Sequence, residues 1–207
     1  MNRVIFATGN AHKMEEIRAI LQNIPLEICS LRDIGFTDEI IEDGDSFEAN
    51  ALIKVRALHR AYPHDLILAD DSGLMIDYLN GAPGVYSARF MGEDTAYAVK
   101  NAAIIEKLAP AVGSERAARF VCAIAIAYPD GREETIRATM EGEIAKAAAG
   151  AGGFGYDPIF FLPEYGMTSA ELTAEEKNRI SHRGKALGLA KNSLLQWVMK
   201  TGEGERK

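Results

Sequence analysis

Two β-rich runs joined by a tight turn constrain the fold of this chain more than any other feature. The runs are Arg119–Tyr128 and Glu133–Glu141, and the turn between them is Pro129-Asp130-Gly131-Arg132. Proline, aspartate and glycine in such a turn are typical of a β-hairpin, in which the two strands pair antiparallel. A purely parallel sheet is therefore disfavoured.

Short strands and helices alternate before this hairpin. Residues 3–7 and 26–31 are β-rich, and apolar residues at helical spacing predict a helix between them that begins at about Ala11. Asp45 and Glu48 have the spacing of a capping box and predict the start of a second helix. Strands separated by helices favour parallel pairing in this half of the chain, so the whole sheet is expected to be mixed.

The remaining predicted elements complete an α/β fold. They are a strand at 66–69 ending at two aspartates, a turn at 81–84, a helix at about 94–108, a capping box at Thr173–Glu176 and a C-terminal helix from about Ser181. No repeat or long linker divides the sequence. We therefore expect one domain over residues 1–200, with a mixed β-sheet flanked by helices and two lobes around a cleft, and a flexible tail at 201–207.

Composition indicates a soluble protein that does not bind nucleic acid. The chain is 47% apolar and 26% charged, with a formal net charge of −7, whereas nucleic-acid binders usually carry a basic patch. The N-terminal apolar run is too short for a signal peptide, and no apolar stretch is long enough to span a membrane. Without a secretory signal, Cys29 and Cys122 are expected to be reduced core residues and the compartment to be cytoplasmic.

The segment Thr8-Gly9-Asn10-Ala11-His12-Lys13 lies where the first strand gives way to a helix. The N–H groups and the dipole at the start of a helix favour an anion. Gly9 lets the backbone approach closely, and Lys13 adds a positive charge one turn later. The segment can therefore hold phosphate, although an ordinary N-cap with a solvated lysine would look the same. It is not a Walker motif.

Acidic residues form two groups that can hold a hard metal ion. Glu42 belongs to Glu42-Asp43-Gly44-Asp45, and Asp71 belongs to Asp70-Asp71-Ser72. Mg²⁺ often takes one or two carboxylates together with substrate phosphates, which Glu42 and Asp71 could supply. Side chains alternate along a strand, so Asp70 and Asp71 cannot both face one point. We expect one of them to touch the chemistry while the other supports it.

The segment Gly150-Ala151-Gly152-Gly153-Phe154-Gly155 matches the dinucleotide-binding pattern G-x-G-x-x-G in its letters only. That pattern needs a helix that opens at the glycines, whereas Pro158 stops any helix here and β-like residues follow. We interpret the segment as a glycine-rich loop that brings Phe154 and Tyr156 to a cleft, because aromatic faces stack on bases. A turn with a core phenylalanine is the alternative.

Hydrogen-bond donors gather near the start of the last helix. Ser181-His182-Arg183 opens this helix, and Lys177 lies one turn earlier. Such donors suit a carbonyl oxygen or a phosphate, although a lone His-Arg pair is more often a surface feature. The sequence has no Cys/His constellation for zinc and no G-x-S-x-G nucleophile elbow. A zinc site and a serine hydrolase are therefore disfavoured.

Taken in order, these motifs resemble the Ham1/inosine triphosphate pyrophosphatase family, close to its bacterial dITP/XTP pyrophosphatases. The resemblance covers roughly residues 3–195 and has no departure at an expected functional position. The strings that carry it are Ala7–Asn10, Asp70–Leu74, Gly81–Arg89, Gly152–Phe160, Glu175–Lys177 and Ile180–Gly184.

The resemblance implies a role for each cluster. Thr8 to Lys13 would bind phosphate, Glu42 would be a metal-site carboxylate, and Asp71 would be both proton acceptor and metal ligand, with Ser72 beside it on the substrate. The residues that would hold the nucleotide and its base are Phe154, Gly155, Tyr156, Asp157, Lys177, His182 and Arg183.

The implied activity is Mg²⁺-dependent hydrolysis of ITP, dITP, XTP or dXTP to the monophosphate and pyrophosphate. Such an enzyme removes these nucleotides before they enter DNA or RNA. The family also implies an elongated α/β fold with a nucleotide-binding cleft, and a homodimer. A donor such as Arg183 or His182 facing the 6-oxo group of hypoxanthine would be left unpaired by adenine, a loss of roughly 1–3 kcal/mol per group.

Three other functions stay open from the residues alone. A nucleotide sensor without turnover would use the same pocket but would not need the acidic metal site. A Mg²⁺-dependent phosphomonoesterase would release orthophosphate instead of pyrophosphate. A pyrophosphatase for the ordinary deoxynucleotides would hydrolyse dATP or dTTP at comparable rates.

Overall fold

A computed structural model describes residues 3–204 of the chain, and the side chains of residues 3–201. Seven strands lie in this part of the chain: β1 Arg3–Phe6, β2 Glu27–Ser30, β3 Leu66–Ile76, β4 Ala117–Ala127, β5 Glu133–Ile144, β6 Phe160–Leu162 and β7 Met167–Thr168. The same residues form five α-helices: α1 Ala11–Ile20, α2 Phe47–Ala61, α3 Tyr97–Lys107, α4 Ala174–Ile180 and α5 His182–Gly204. None of the helices described over 3–204 has the length and apolar character of a membrane span.

The seven strands form one mixed sheet in the order β2-β1-β3-β4-β5-β6-β7. Strand β1 pairs parallel with both β2 and β3, whereas β6 pairs antiparallel with β5 and β7. Neighbouring strands β4 and β5 are joined by the predicted turn, in which the Tyr128 N–H donates to the Arg132 carbonyl at 2.9 Å. The mixed sheet and the hairpin are therefore confirmed.

The chain divides into two compact units. Among the described residues, the first unit contains residues 3–71, Cys122–Ala138 and residues 184–204. The second unit contains Ser72–Val121 and Thr139–Arg183. The expected tail at 201–207 begins inside α5, which runs to Gly204, and its last three residues lie outside the described chain.

The first unit packs helices on both faces of its strands. Side chains alternate along β1, so that Val4 and Phe6 lie in one core cluster and Ile5 in another. Helices α1 and α5 contribute to the cluster of Val4 and Phe6, and α2 contributes to that of Ile5. Cys29 and Cys122 are both buried, as expected of core residues.

The second unit has its own core. It is built around Leu74 and Ile76 of β3, with α3 supplying Ile104 and the β6 region supplying Phe160, all fully buried. The glycine-rich segment 150–155 leads into a short 3-10 turn at Asp157–Ile159 and then into β6. The prediction that no α-helix opens at this segment is therefore confirmed.

Two predictions about element boundaries were wrong. The cap of α2 is Ser46, whose hydroxyl accepts from the Ala49 N–H at 3.2 Å, so Asp45 is not the cap. Ser46 has the extended backbone that a cap requires, with φ −139° and ψ 159°. The strand predicted at 66–69 does not end at the aspartates but runs on to Ile76, because the equally long β4 lies beside it in the sheet.

The cap predicted for the short helix near the C-terminus is confirmed. The Thr173 side chain accepts from the Glu176 N–H, and the Glu176 carboxylate accepts from the Thr173 N–H at 2.9 Å. This capping box fixes the start of α4, which carries Lys177 in its last turn.

Candidate active site

The predicted phosphate segment Thr8–Lys13 lies at the start of α1. Asn10 caps the helix by accepting from the Lys13 N–H at 3.1 Å, and the Thr8 hydroxyl accepts from the Asn10 N–H at 3.2 Å. Nothing lies within 4 Å of the position that a Cβ on Gly9 would take. Residues 9–12 are exposed, so the helix start is open to an anion from solvent.

Lys13 extends to the first of the two adjacent aspartates. Its Nζ lies 3.0 Å from Asp70 Oδ2, and the Asp70 side chain is 1% exposed. Asp71 contacts other residues, so the two carboxylates diverge along β3 as the alternation of side chains predicted. Asp70 therefore supports Lys13, while Asp71 faces α2.

Asp71 is oriented by a buried asparagine. The Asn50 amide donates to Asp71 Oδ2 at 3.2 Å, and its own Oδ1 accepts from the Gly44 N–H at 2.8 Å. A Cβ on Gly44 would stand 2.7 Å from that Oδ1, so only glycine fits there. Burial raises the pKa of Asp71, and attraction to Lys54 and Lys13 offsets part of that rise.

Lys54 joins Asp71 to the second acidic group. Its Nζ donates to Glu42 Oε2 at 2.8 Å and lies 3.4 Å from Asp71 Oδ1. Burial opposes the charge on Lys54, but the nearby carboxylates, Asp71 first among them, outweigh burial and raise its pKa. We call Glu42, Asn50, Lys54 and Asp71 the acid centre.

The two carboxylates of the acid centre have the chemistry of a magnesium site. Glu42 and Asp71 present oxygens to a single cation, the Lys54 ammonium, and the Glu42 side chain is one-third exposed at 33%. Mg²⁺ needs only one or two carboxylates when substrate phosphates complete its shell. Among the described residues no group of three His, Cys, Asp or Glu side chains could hold a metal by itself. Glu42 and Asp71 therefore fit a metal ion whose remaining ligands come from a bound phosphate.

The predicted base-binding residues of the glycine-rich segment lie in the second unit. We call residues 153–157 the base loop. Asp157 is buried and closes this loop, since its Oδ2 accepts from the Phe154 N–H at 2.8 Å and from Lys177 Nζ at 2.7 Å. Its Oδ1 accepts from the Ser169 hydroxyl at 2.9 Å. Gly153 has φ +67°, and a Cβ there would collide with the Asp157 carboxylate.

Two buried cations face the ring of Phe154. Lys177 Nζ lies 4.8 Å and the Arg183 guanidinium 5.6 Å from the ring centroid. Arg183 also donates to the Ser72 hydroxyl at 3.0 Å. Phe154 is partly exposed, whereas Lys177 and Arg183 are 5% and 2% exposed. The arrangement combines an aromatic face with positively charged donors, as a base with oxo groups requires.

Two residues predicted for the base have their side chains in the core. The Tyr156 ring is 3% exposed, and its hydroxyl donates to the Ser87 carbonyl at 2.7 Å. Burial raises the pKa of this hydroxyl. The His182 ring stacks on Phe120, with centroids 4.8 Å apart and planes at 15°. Tyr156 therefore supports the base loop rather than offering its face, so the interpretation that both aromatic rings reach a cleft is wrong for Tyr156; for the partly exposed Phe154 it stays a prediction.

Sequence reasoning missed Asn50 and Lys54 as members of the acid centre. Both lie on α2, four residues apart, and both are buried beside an apolar stripe that includes Ala51 and Val55. Polar residues at positions i and i+4 face the same side of a helix. A buried polar pair at that spacing is the signal that could have identified them.

Comparisons with known proteins show what the whole chain is similar to. The model of a family described as the Ham1 family matches residues 4–193. The dITP/XTP pyrophosphatase of Exiguobacterium sibiricum is 48% identical over 185 residues, 89% of this chain and 93% of that protein. The dITP/XTP pyrophosphatase of Geobacter sulfurreducens is 46% identical over 196 residues, 94% and 97% of the two chains.

Solved structures have the same fold. A HAM1 protein from Coxiella burnetii superposes with a TM-score of 0.86 at 37% identity, over 95% of this chain and all of that one (100%). A nucleoside-triphosphatase / dITP/XTP pyrophosphatase from Mycobacterium abscessus has a TM-score of 0.73 at 40% identity, over 91% of this chain and 98% of that one.

Proposed function

The chain belongs to the Ham1 family, and from that premise we propose that it is a nucleoside triphosphate pyrophosphatase. It hydrolyses dITP, ITP and XTP or dXTP to the monophosphate and pyrophosphate, and thereby keeps these purines out of DNA and RNA. Relatives named dITP/XTP pyrophosphatase match nearly the whole chain, which supports the assignment.

One observation carries the assignment. Asp71 belongs to the acid centre, and the next residue, Ser72, accepts a hydrogen bond from Arg183, which faces the Phe154 ring. Asp71 and Ser72 are consecutive in sequence, so the proton acceptor of the acid centre directly precedes a residue that is bonded to donors suited to a base. Donors of this kind favour a nucleotide substrate, and the products decide between a pyrophosphatase and a phosphomonoesterase.

The triphosphate is expected to bind at the start of α1. The exposed N–H groups and dipole of the helix attract its oxygens. Lys13 Nζ lies 3.0 Å from Asp70, and it can exchange this contact for a phosphate oxygen bound at the start of α1. Its positive charge would then stabilise the departing pyrophosphate.

Asp71 is the residue best suited to accept a proton from the attacking water. A raised pKa makes its carboxylate a better general base near neutral pH than an exposed aspartate. Asn50 fixes the orientation of Asp71, and Lys54 holds Asp71 and Glu42 against one charge. Attack at the α-phosphorus releases pyrophosphate without any covalent intermediate on the protein.

Mg²⁺ is the proposed cofactor, and Glu42 and Asp71 are the residues that would hold it. When bound, it supplies positive charge against the triphosphate oxygens and lowers the pKa of a bound water. Activity should therefore vanish in EDTA and return with Mg²⁺. We also expect a homodimer acting in the cytoplasm; sedimentation velocity of the purified chain at micromolar concentration tests the dimer.

Base selectivity follows from the donors around the base loop. Hypoxanthine and xanthine offer a 6-oxo acceptor to a group such as Arg183, whereas adenine offers an amino donor that would leave it unpaired. Such a mismatch costs roughly 1–3 kcal/mol per group, or about 5- to 150-fold in kcat/KM. Guanine keeps the 6-oxo group, so rejection of GTP has to act at its 2-amino position.

A product assay tests the proposed function. Purified protein with Mg²⁺ would be given ITP, XTP, GTP, ATP and dTTP, and pyrophosphate would be resolved from orthophosphate. We expect pyrophosphate from ITP and XTP, with the other nucleotides slow. Orthophosphate would favour a phosphomonoesterase, comparable rates on ATP and dTTP a general pyrophosphatase, and binding of ITP without turnover a sensor.

A further inference from the structure

We propose that Lys100 and Asn101, neighbours on α3, are positioning residues that hold the base loop in its binding conformation. The proposal rests on the proposed function, because it takes the base loop to be the place where the purine binds. All contacts that carry it lie within the second unit.

Lys100 is a buried cation that has no acidic partner among the described residues. It is 1% exposed, and its Nζ donates to the Ala88 carbonyl at 2.7 Å and lies 4.9 Å from the Tyr97 ring centroid. No carboxylate in the described part of the chain forms an ion pair with it. Buried charges are normally paired, because their desolvation is costly. Of the described groups, the Lys100 ammonium contacts only a carbonyl and an aromatic ring, so a contribution to the stability of the fold does not explain why a lysine is buried here.

Asn101 contacts the base loop directly. Its amide donates to the Gly155 carbonyl at 3.1 Å, and the residue is 4% exposed. Its Oδ1 is buried and has no hydrogen-bond partner among the described residues. An unsatisfied buried acceptor is unfavourable, and leucine would avoid it at similar volume. The asparagine is therefore explained by the donor that it directs at the loop.

Tyr97 and Tyr156 connect these two contacts. The Tyr97 ring meets the Tyr156 ring edge-on, with centroids 5.2 Å apart, and it lies 3.6 Å from the position of a Cβ on Gly155. The Tyr156 hydroxyl donates to the carbonyl of Ser87, and the next residue, Ala88, carries the carbonyl that accepts from Lys100. Helix α3 thus holds both the base loop and the segment to which that loop is bonded.

The consequence of this arrangement concerns Phe154. This residue immediately precedes Gly155, and Lys177 and Arg183 face its ring. If the Gly155 carbonyl and the Tyr156 ring are released, the Phe154 ring loses its fixed position beneath the two cations. Base binding should then weaken, while phosphate binding at α1 should not change.

The energetics separate positioning from ordinary support of the fold. Lys100→Met removes an unpaired buried charge and keeps the length of the side chain, so thermal stability should be retained or increased. The KM for ITP should nevertheless rise about tenfold, the equivalent of one well-placed contact. A residue that only supports the fold would lose stability and activity together.

The experiment compares Lys100→Met, Lys100→Arg and Asn101→Leu with wild type, using the exposed Lys107→Met on the same helix as the matched control. Three quantities are measured: the kinetic constants for ITP, inhibition by pyrophosphate, and hydrogen exchange of peptides covering residues 150–157. We expect the Met and Leu variants to raise KM and accelerate exchange in 150–157, with unchanged pyrophosphate inhibition. Lys100→Arg keeps charge and donor and should recover most of the wild-type KM.

The results distinguish failure of this inference from failure of the proposed function. A wild-type protein that does not hydrolyse ITP removes the proposed function, and the exchange data then still decide whether α3 holds the loop. Unchanged KM and exchange in both Lys100→Met and Asn101→Leu would overturn the inference. So would a loss of activity that parallels a general loss of thermal stability and increased exchange throughout the chain.

Discussion

Lys54→Met should destabilise the metal-free protein because it removes a buried cation that contacts both Glu42 and Asp71. Lys54 is 8% exposed at its side chain and lies 2.8 and 3.4 Å from the two carboxylates. Removing one partner of a buried ion pair costs about 3–5 kcal/mol. Glu42 is one-third exposed, so water screens part of the effect and the lower end, about 3 kcal/mol, applies.

Thermal and urea unfolding in EDTA measure this effect. For a chain of this length, about 3 kcal/mol corresponds to a fall in Tm of about 6–12 °C. The exposed Arg60→Met on the same helix is the control and should change Tm little. Adding Glu42→Gln to Lys54→Met should restore part of the loss, because one carboxylate then no longer lacks its partner.

The contrary result is a small effect. A loss below about 1 kcal/mol, similar to that of the control, would mean that Lys54 behaves like an exposed ion-pair partner. The acid centre would then be well hydrated, and the explanation of the raised Asp71 pKa by burial would fail.

Three further predictions test other parts of the account. Asp71→Asn should reduce kcat for ITP by at least about 100-fold. The metal-free variant should nevertheless melt at pH 7 no lower than wild type, because the raised pKa of Asp71 means that the fold disfavours the ionised carboxylate. A clear fall in Tm would contradict this reasoning. Gly153→Ala should raise the KM for ITP and cost more stability than Gly166→Ala, since both glycines have φ near +66° but only Gly153 faces a carboxylate; equal effects in urea unfolding would refute the collision. Burial, and after it the hydrogen bond to Glu134, raises the pKa of Tyr128 from 10.0 to about 12. The neutral hydroxyl therefore stabilises the fold fully below pH 10, and about 2–3 kcal/mol of this stability is lost as the pH rises to 12. In pH-dependent denaturation, Tyr128→Phe should lack this part of the alkaline loss.

Much of the fold could be predicted from short-range rules. Proline and glycine in the 129–132 turn predicted the hairpin, and Thr173 with Glu176 predicted the start of α4. Pro158 correctly ruled out an α-helix after the glycine-rich segment, where the chain forms only a short 3-10 turn. Each of these features depends on residues within about four positions of each other, which a sequence displays directly.

The errors arose where distant parts of the chain decide. Asp70 and Asp71 have low strand propensity, yet they lie inside β3 because sheet neighbours override local preference. Ser46 and Asp45 are both good caps, and the backbone of the folded chain selects Ser46.

The candidate site was predictable in its residue types but not in its pairings. Glu42, Lys54 and Asp71 are separated by 12 and 17 positions along the chain, and no local rule brings them together. The inward turn of Tyr156 likewise depends on Ser87, 69 residues away. Motifs indicated where chemistry could occur, whereas packing decided which side chains support it.

The central claim is attack of water at the α-phosphorus, and one measurement tests it most directly. ITP is hydrolysed in ¹⁸O-labelled water with Mg²⁺, and both products are analysed by mass spectrometry. Attack at the α-phosphorus places a single ¹⁸O in inosine monophosphate and none in pyrophosphate. Label in pyrophosphate would mean attack at the β-phosphorus, and labelled orthophosphate would mean attack at the terminal phosphate; either result would contradict the account.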